Sequence, residues 1–506
     1  MRRLLLLATV LTGIAAGAGT LYHEPWRLQY HFSPAKTWTN DPNGLVWYKN
    51  EYHLFYQNNP FGDKWGHMSW GHAVSPDLLH WQEMAVAIPE ENGIMIFSGS
   101  VVVDSNNASG LCQSTDPKDP SCLVAIYTGH TPTLQTQNIA VSNDRGRTWS
   151  KYKGNPILDL HMKDFRDPKV IWYAPTKKWV MAVSLPNEHK IRFYSSKNLR
   201  QWTLLSDFGP AGATGGQWEC PDLFEMSAAQ QTESRRWVLI VNVNPGGVQG
   251  GSAVQYFVGK FDGTRFHNDN SSATTLWADW GKDFYAAVTY YNSPPGDISR
   301  YLIGWFSNWE YANDEPTSPQ RGAMAIPREV ILRPTPAGIR LLQRPVHTLV
   351  QLHGNELGMH DRTIAEANKD IAEKGFHGHQ MEILATFEPH GAHDYGLMVH
   401  KGASERTVVG VTSDGHLYVD RTKSGVSDFS PKFPGRQTAP LRLGKTVLLH
   451  ILLDASSVEV FSGDGQTVIS DRVFPATASD GIELFSNGGA AKVTSLRMWK
   501  LNGVWP

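Results

Sequence analysis

Three short stretches, far apart in the chain, each put one acidic residue at the head of the same two-strand pattern. Asp41-Pro42 leads into Leu45-Val46-Trp47-Tyr48, a polar turn at Lys49-Asn50-Glu51, and Tyr52-His53-Leu54-Phe55-Tyr56. Asp167-Pro168 leads into Val170-Ile171-Trp172-Tyr173, a turn around Thr176-Lys177-Lys178, and Trp179-Val180-Met181-Ala182-Val183. Glu219-Cys220-Pro221-Asp222 leads into Leu223-Phe224-Glu225-Met226, a longer polar turn, and Trp237-Val238-Leu239-Ile240-Val241. If these are copies of one unit, three carboxylates hold equivalent positions, and radial repetition points all three at a common axis.

A second signature marks the far side of each unit. Ser75-Pro76-Asp77-Leu78-Leu79-His80-Trp81, Ser142-Asn143-Asp144-Arg145-Gly146-Arg147-Thr148-Trp149 and Ser196-Lys197-Asn198-Leu199-Arg200-Gln201-Trp202 all read as polar turns ending on a Trp. Phe261-Asp262-Gly263-Thr264-Arg265-Phe266 is a looser copy. The intervals, roughly 50 to 70 residues, exceed most propeller blades, so loop insertions are expected. Period-2 alternation and β-branched and aromatic enrichment predict strands throughout, and helical periodicity is nearly absent. The expected class is all-β, with a propeller first.

The texture changes beyond about Leu332. Pro334 and Pro336 close the aromatic-rich region, and Arg340 to Gly375 carries the only helix-like composition, Ile364-Ala365-Glu366-Ala367-Asn368. Short alternating strands follow from Gln380 to Ser486, with turn signals such as Ser462-Gly463-Asp464-Gly465, and read as a β-sandwich. The expected division is a leader over 1–18, a propeller over 19–337, a linker with a short helical segment over 338–375, and a sandwich over 376–506.

Arg2-Arg3, the apolar stretch Leu4 to Ile14 and Ala16-Gly17-Ala18 have the form of a cleaved signal peptide, too short to span a bilayer. No later run is apolar enough to span one, so the mature chain is expected to be secreted or periplasmic, away from the membrane. Cys112 and Cys122 flank a polar loop and are placed to close a disulfide across it, whereas Cys220 reads as a small buried filler. Asn107-Ala108-Ser109 and Asn270-Ser271-Ser272 match the glycosylation pattern, which matters only in a eukaryotic host. The net charge of −2 gives no electrostatic reason to bind nucleic acid. Sugar faces stack on flat apolar rings, and Trp38, Trp65, Trp70 and Trp218 stand beside the acidic motifs.

Proline restricts the residue before it to extended geometry, so Asp41 and Asp167 hang from stiff, similar backbone. Cleaving a glycosidic bond takes one carboxylic acid to protonate the leaving oxygen and one carboxylate as nucleophile or base. Burial and neighbouring negative charge keep one of them protonated near neutral pH, and the longer reach of Glu219 suits the proton donor. Three acids in one pit are also a possible divalent-cation site. Arg166 would compete with a cation there, so no metal and no cofactor are called for.

Trp38-Thr39-Asn40-Asp41-Pro42-Asn43-Gly44, Phe97-Ser98-Gly99-Ser100, Phe165-Arg166-Asp167-Pro168 and Trp218-Glu219-Cys220-Pro221-Asp222 resemble, in order, the signature blocks of glycoside hydrolase family 32, the invertases, inulinases and levanases. The resemblance spans essentially the whole mature chain. It implies a five-bladed β-propeller followed by a β-sandwich, and a retaining, exo-acting mechanism on terminal β-fructofuranosyl residues of sucrose, inulin and levan. It implies Asp41 as nucleophile, Glu219 as acid/base, and Asp167 with Arg166 as the group that holds the fructose hydroxyls and stabilises the transition state. By motif, Asn40, Gln57, Trp65, Phe97, Ser98, Asp222 and Trp309 (with Trp305 as the second choice) are expected to bind substrate. Thr39 departs from the pattern, standing where the family usually has Met. Three rival readings remain: an inverting arabinan furanosidase, which would lack the block around Asp41; a fructosyltransferase, which would share every catalytic residue; and a non-catalytic carbohydrate-binding protein.

Overall fold

A computed structural model describes residues 21–113, 118–228 and 235–506. The leader expected over 1–18 lies outside the described residues. The chain is all-β, with Ile364–Glu373 the single α-helix among the described residues. Thr363 and Glu366 close a capping box that starts this helix, and Ala367 and Ile371 bury its inner face.

Five antiparallel sheets follow one another along the first two-thirds of the chain. Their first strands are Thr37–Tyr48, Met95–Asp104, Arg166–Tyr173, Gln217–Ser227 and Tyr285–Thr289, and each pairs with the next strand along the chain. These first strands touch in cyclic order, each meeting the next and the fifth returning to the first. Late in the chain, Gln320–Arg321 comes back to pair in parallel with Thr37 and Trp38, so the first sheet holds both early and late sequence.

The Trp-ending turns join the third strand to the fourth, and they share one geometry. The indole N–H of Trp81, Trp149 and Trp202 donates to the carbonyl three residues earlier, at 3.1, 3.1 and 2.8 Å. Ser75, Ser142 and Ser196 each cap their turn with a side-chain oxygen. Repetition in sequence is therefore repetition in hydrogen bonding.

Residues 338–375 differ from a linker. Gly338–Pro345 pairs along its full length with Arg328–Thr335 in the fifth sheet, and His353–Thr363 pairs with Lys492–Leu501. Ile339 and Leu341 alternate onto one face that packs on the core, and Leu342 is buried on the other. The remaining strands form a six-stranded and a five-stranded sheet, with one core between them that includes Ile383, Leu449 and Val460 from one and Leu397, Val409 and Val419 from the other.

The two parts meet through buried charge. Arg328 donates to Asp279 and Glu459, both at 2.9 Å, and His31 lies between Asp454 (2.8 Å) and Glu459 (2.9 Å). Arg421 donates to Asp283 at 2.5 Å. Cys112 and Cys122 form a disulfide. No helix among the described residues is long and apolar enough to cross a membrane.

Candidate active site

All five first strands break register at the same level. The interruptions span Asn40-Asp41, Ser98, Asp167-Pro168, Cys220-Pro221 and Ala286-Ala287. Pro42, Pro168 and Pro221 have no N–H to give a ladder, so each favours an interruption where it stands. A bulge adds a residue on one strand and re-aims its side chains. Asp167, Cys220 and Ala286 take φ of 67, 43 and 51°, a region costly for residues with a Cβ and found where surrounding structure enforces it.

Beneath the bulges, neighbouring strands are braced to each other. Gly99 N–H donates to Asn43 Oδ1 (3.2 Å), Ser100 Oγ to the Pro168 carbonyl (2.8 Å), and Tyr291 N–H to the Leu45 carbonyl (2.9 Å). Lys169 Nζ lies 3.1 Å from Asp222 Oδ1 and donates to the Thr289 carbonyl at 2.6 Å. Asp222 Oδ2 accepts the Thr289 N–H. Asp222 is fully buried in this brace and does not reach the cavity, which corrects its expected place in the substrate pocket. Its side chain satisfies a cation and a backbone amide of the neighbouring strands instead.

Above the bulges, Asp41, Asp167 and Glu219 line one cavity of about 340 Å³ with Asn40, Gln57, Trp65, Phe97, Ser98, Arg166 and Trp309. Asp41 accepts from Asn40 Nδ2 at 3.0 Å and from Ser98 Oγ at 2.6 Å, with Cys220 Sγ 3.4 Å away. Asp167 accepts the Cys220 N–H at 2.9 Å. Glu219 Oε1 accepts from Arg166 Nε (3.1 Å) and Nη2 (2.9 Å), and Oε2 accepts from the Tyr285 hydroxyl. Arg166 thus serves Glu219 and lies 4.0 Å from Asp167, while Asp41 has only neutral donors.

Burial raises the Asp41 carboxyl above its usual range, opposed by donation from Ser98 and Asn40 and reinforced by the charge of Glu219. Burial pushes Asp167 up to about 7; Arg166 opposes this, and Glu219 and Asp41 add to it. Among the described residues no group of three His, Cys, Asp or Glu side chains is arranged to hold a metal ion.

Tryptophan was the poorest guide. Trp65 lines the cavity, but Trp38, Trp70 and Trp218 are fully buried in the core. Trp305 is buried too, 4.8 Å behind Trp309. His130, Gln135, Asp164, Asn244 and Tyr285 line the cavity without having been singled out. Tyr285 stands immediately before the bulge of the fifth sheet, as Glu219 does in the fourth, a position the sequence motifs did not mark. The other four sit near strand ends in hairpins and loops with no shared pattern. Thr39 is fully buried, and its Oγ1 has no hydrogen-bond partner among the described residues.

The family model described as "Glycosyl hydrolases family 32 N-terminal domain" matches residues 31–345, and that described as "Glycosyl hydrolases family 32 C terminal" matches 349–500. A levanase of Bacillus subtilis (strain 168) is 47% identical over 508 residues, covering 99% of this chain and 74% of the relative. The crystal structure of an exo-inulinase from Aspergillus awamori superposes with a TM-score of 0.87 at 36% identity, over 96% of this chain and 100% of that one. A β-fructofuranosidase from Schwanniomyces occidentalis, solved with fructosyl-erythritol, gives 0.84 at 32% identity, over 94% and 98% of the two chains.

Proposed function

The chain belongs to glycosyl hydrolase family 32, and from that premise we propose a secreted, retaining exo-β-fructosidase that removes terminal β-fructofuranosyl units from sucrose and fructans. The observation that carries this reading is the placement of three carboxylates, with one guanidinium, around one cavity formed by equivalent bulges. The cyclic contacts of the five first strands support reading the five sheets as blades of a propeller through Pro345, with a β-sandwich from His353. Residues 1–18 are proposed as the signal peptide.

Asp41 is assigned as the nucleophile. Its two donors, Asn40 and Ser98, offset the burial that would otherwise neutralise it and hold its carboxylate toward the anomeric carbon. Glu219 protonates the leaving oxygen, and Arg166 at Oε1 stabilises the carboxylate that forms. In the second half-reaction Glu219 takes a proton from water, which opens the fructosyl ester on Asp41. Asp167 is assigned to the fructose hydroxyls, with Trp65 and Trp309 as apolar walls.

The bulged strands and their braces close the cavity beneath the acids, so the nucleophile reaches only a sugar that enters end-on. Early digests of inulin are expected to hold free fructose and a slowly shortening polymer. Short oligosaccharides dominating from the first minutes would contradict the exo reading.

A further inference from the structure

His130 lines the cavity but has no part in the mechanism above. It lies on the strand Cys122–Thr131, directly across the hairpin from Gln135 and beside Met95 on the other side. Ser98, which donates to Asp41, is three residues further along that neighbouring strand, so His130 stands roughly 7–10 Å from the level of the nucleophile at ~3.3 Å per residue. Both line the same cavity, and the braces beneath Ser98 and Asp167 place His130 toward the open side. Its ring lies flat against Phe97, with centroids 4.1 Å apart and planes 5° apart, and Phe97 in turn meets the edge of Trp65. One face of the imidazole is therefore fixed and the other is turned from the stack.

The tautomer of this ring is set from a distance. The backbone N–H of Phe165 donates to the Gln135 side chain at 2.8 Å, and Arg166 Nη1 donates to the same atom at 3.4 Å. An atom that accepts twice is the amide oxygen. The amide nitrogen of Gln135 is then the atom 3.1 Å from His130 Nδ1, and it can only donate. So Nδ1 accepts, and the proton of a neutral ring sits on Nε2. Burial and the charge of Arg166 both hold His130 below the usual imidazole range, with Asp164 and Lys163 the other charged groups acting on it. Among the described residues none is hydrogen-bonded to Nε2.

We propose that His130 is a substrate-binding residue on the leaving-group side, donating its Nε2–H to a hydroxyl of the sugar that departs or of the next sugar in a fructan chain. A neutral donor of fixed tautomer suits this position, because burial and Arg166 disfavour its charged form and it does not compete with Glu219 for the proton of the leaving oxygen. The inference rests on the fructosidase reading above.

The test compares leaving groups that carry hydroxyls with one that carries none: sucrose and inulin against β-fructofuranosyl fluoride. For His130→Ala, kcat/KM on sucrose and inulin should fall about threefold to tenfold, the worth of one neutral hydrogen bond. The fall on the fluoride should be several-fold smaller. His130→Gln, which keeps a donor, should recover part of the loss, and the ratio of wild type to His130→Ala should stay flat across the pH range of activity. Equal losses on all three substrates would make His130 a structural residue and overturn the proposal, as would no loss on any. A ratio that changes near the imidazole range would overturn the fixed neutral tautomer. Failure of the wild-type enzyme to cleave sucrose, inulin and the fluoride would instead overturn the fructosidase reading itself.

Discussion

Two buried groups of carboxylates in this molecule are held in opposite ways. At the junction between the two parts, Asp279, Asp454 and Glu459 each have both oxygens occupied by protein donors. Asp279 takes the N–H groups of Gly281 and Ser470 on one oxygen and Arg328 on the other. Asp454 takes backbone amides and His31, and Glu459 takes Arg328, His31 and the Ile326 N–H. In the cavity, Asp41 and Glu219 also have both oxygens occupied, but no described residue donates to Asp167 Oδ1. The one guanidinium, Arg166, pairs with Glu219 and lies 4.0 Å from Asp167 without reaching Asp41. The first group spends its hydrogen-bonding capacity on the fold. The second keeps one acceptor, Asp167 Oδ1, and excess negative charge, for a ligand. Burial alone therefore does not mark a site; burial with unfilled acceptors does.

The sharpest way to break this comparison is to neutralise each cavity acid in turn. Asp41→Asn should lose several powers of ten in kcat, and Glu219→Gln about 10²–10⁴-fold, less with a good leaving group. Asp41→Asn should keep the wild-type thermal midpoint or exceed it, since no cation pairs with Asp41. Glu219→Gln gives up its pair with Arg166 and should lower the midpoint at most slightly, Asp164 still holding that guanidinium. Near-normal turnover of sucrose by either would undo the role assignment.

Substitution at the junction should do the reverse. Arg328→Met strands Asp279 and Glu459, and breaking a buried pair of this kind costs about 3–5 kcal/mol. The thermal midpoint should drop while kcat of the folded fraction holds. A variant with unchanged stability and reduced kcat would mean that the junction reaches the chemistry.

Smaller but more discriminating effects should come from pH. The folded state holds the Asp167 proton up to about 7, whereas the unfolded chain releases it near 3.8. Its stabilising effect is full below the lower value and lost as pH rises through the upper one. Asp167→Asn should thus match wild type in thermal midpoint near pH 4 and exceed it by a few degrees above pH 7. His31 is pulled down by burial but pushed up further by Asp454 and Glu459, from 6.5 to about 8. Its contribution is present below 6.5 and lost as pH rises through about 8. His31→Gln should flatten that alkaline loss of stability. Melting curves across pH for the two variants would place the two clusters on opposite sides of neutrality; identical pH profiles would remove the distinction.

Much of this was legible in the sequence because the first strands repeat. An acid before or near a proline, then four alternating residues, a turn and a second strand located Asp41, Asp167 and Glu219, and the Trp-ending turns marked the outer strands. Two kinds of residue escaped. Asp222 follows the motif so closely that it read as part of the pocket, yet strand alternation across a bulge turns it down to Lys169. Trp218 is next to Glu219 and Trp38 three residues before Asp41, yet both are buried in the core, as is Trp70 on a third strand. His130, Gln135 and Asn244 enter the cavity from second and third strands, where no motif marks them. The segment 338–375 looked like a linker because it holds two edge strands, one paired across the expected boundary with Arg328–Thr335 and the other with the distant Lys492–Leu501.

Trapping the intermediate tests the assignment of Asp41 most directly. With Glu219→Ala, β-fructofuranosyl fluoride needs no protonation to leave, while the second step lacks its base, so the fructosyl-enzyme should accumulate. Mass spectrometry of the digested protein should find one fructosyl unit, as an ester, on the peptide bearing Asp41. Turnover of the fluoride with no adduct at any time, together with first-formed fructose of inverted configuration from the wild-type enzyme by NMR, would contradict a covalent role for Asp41.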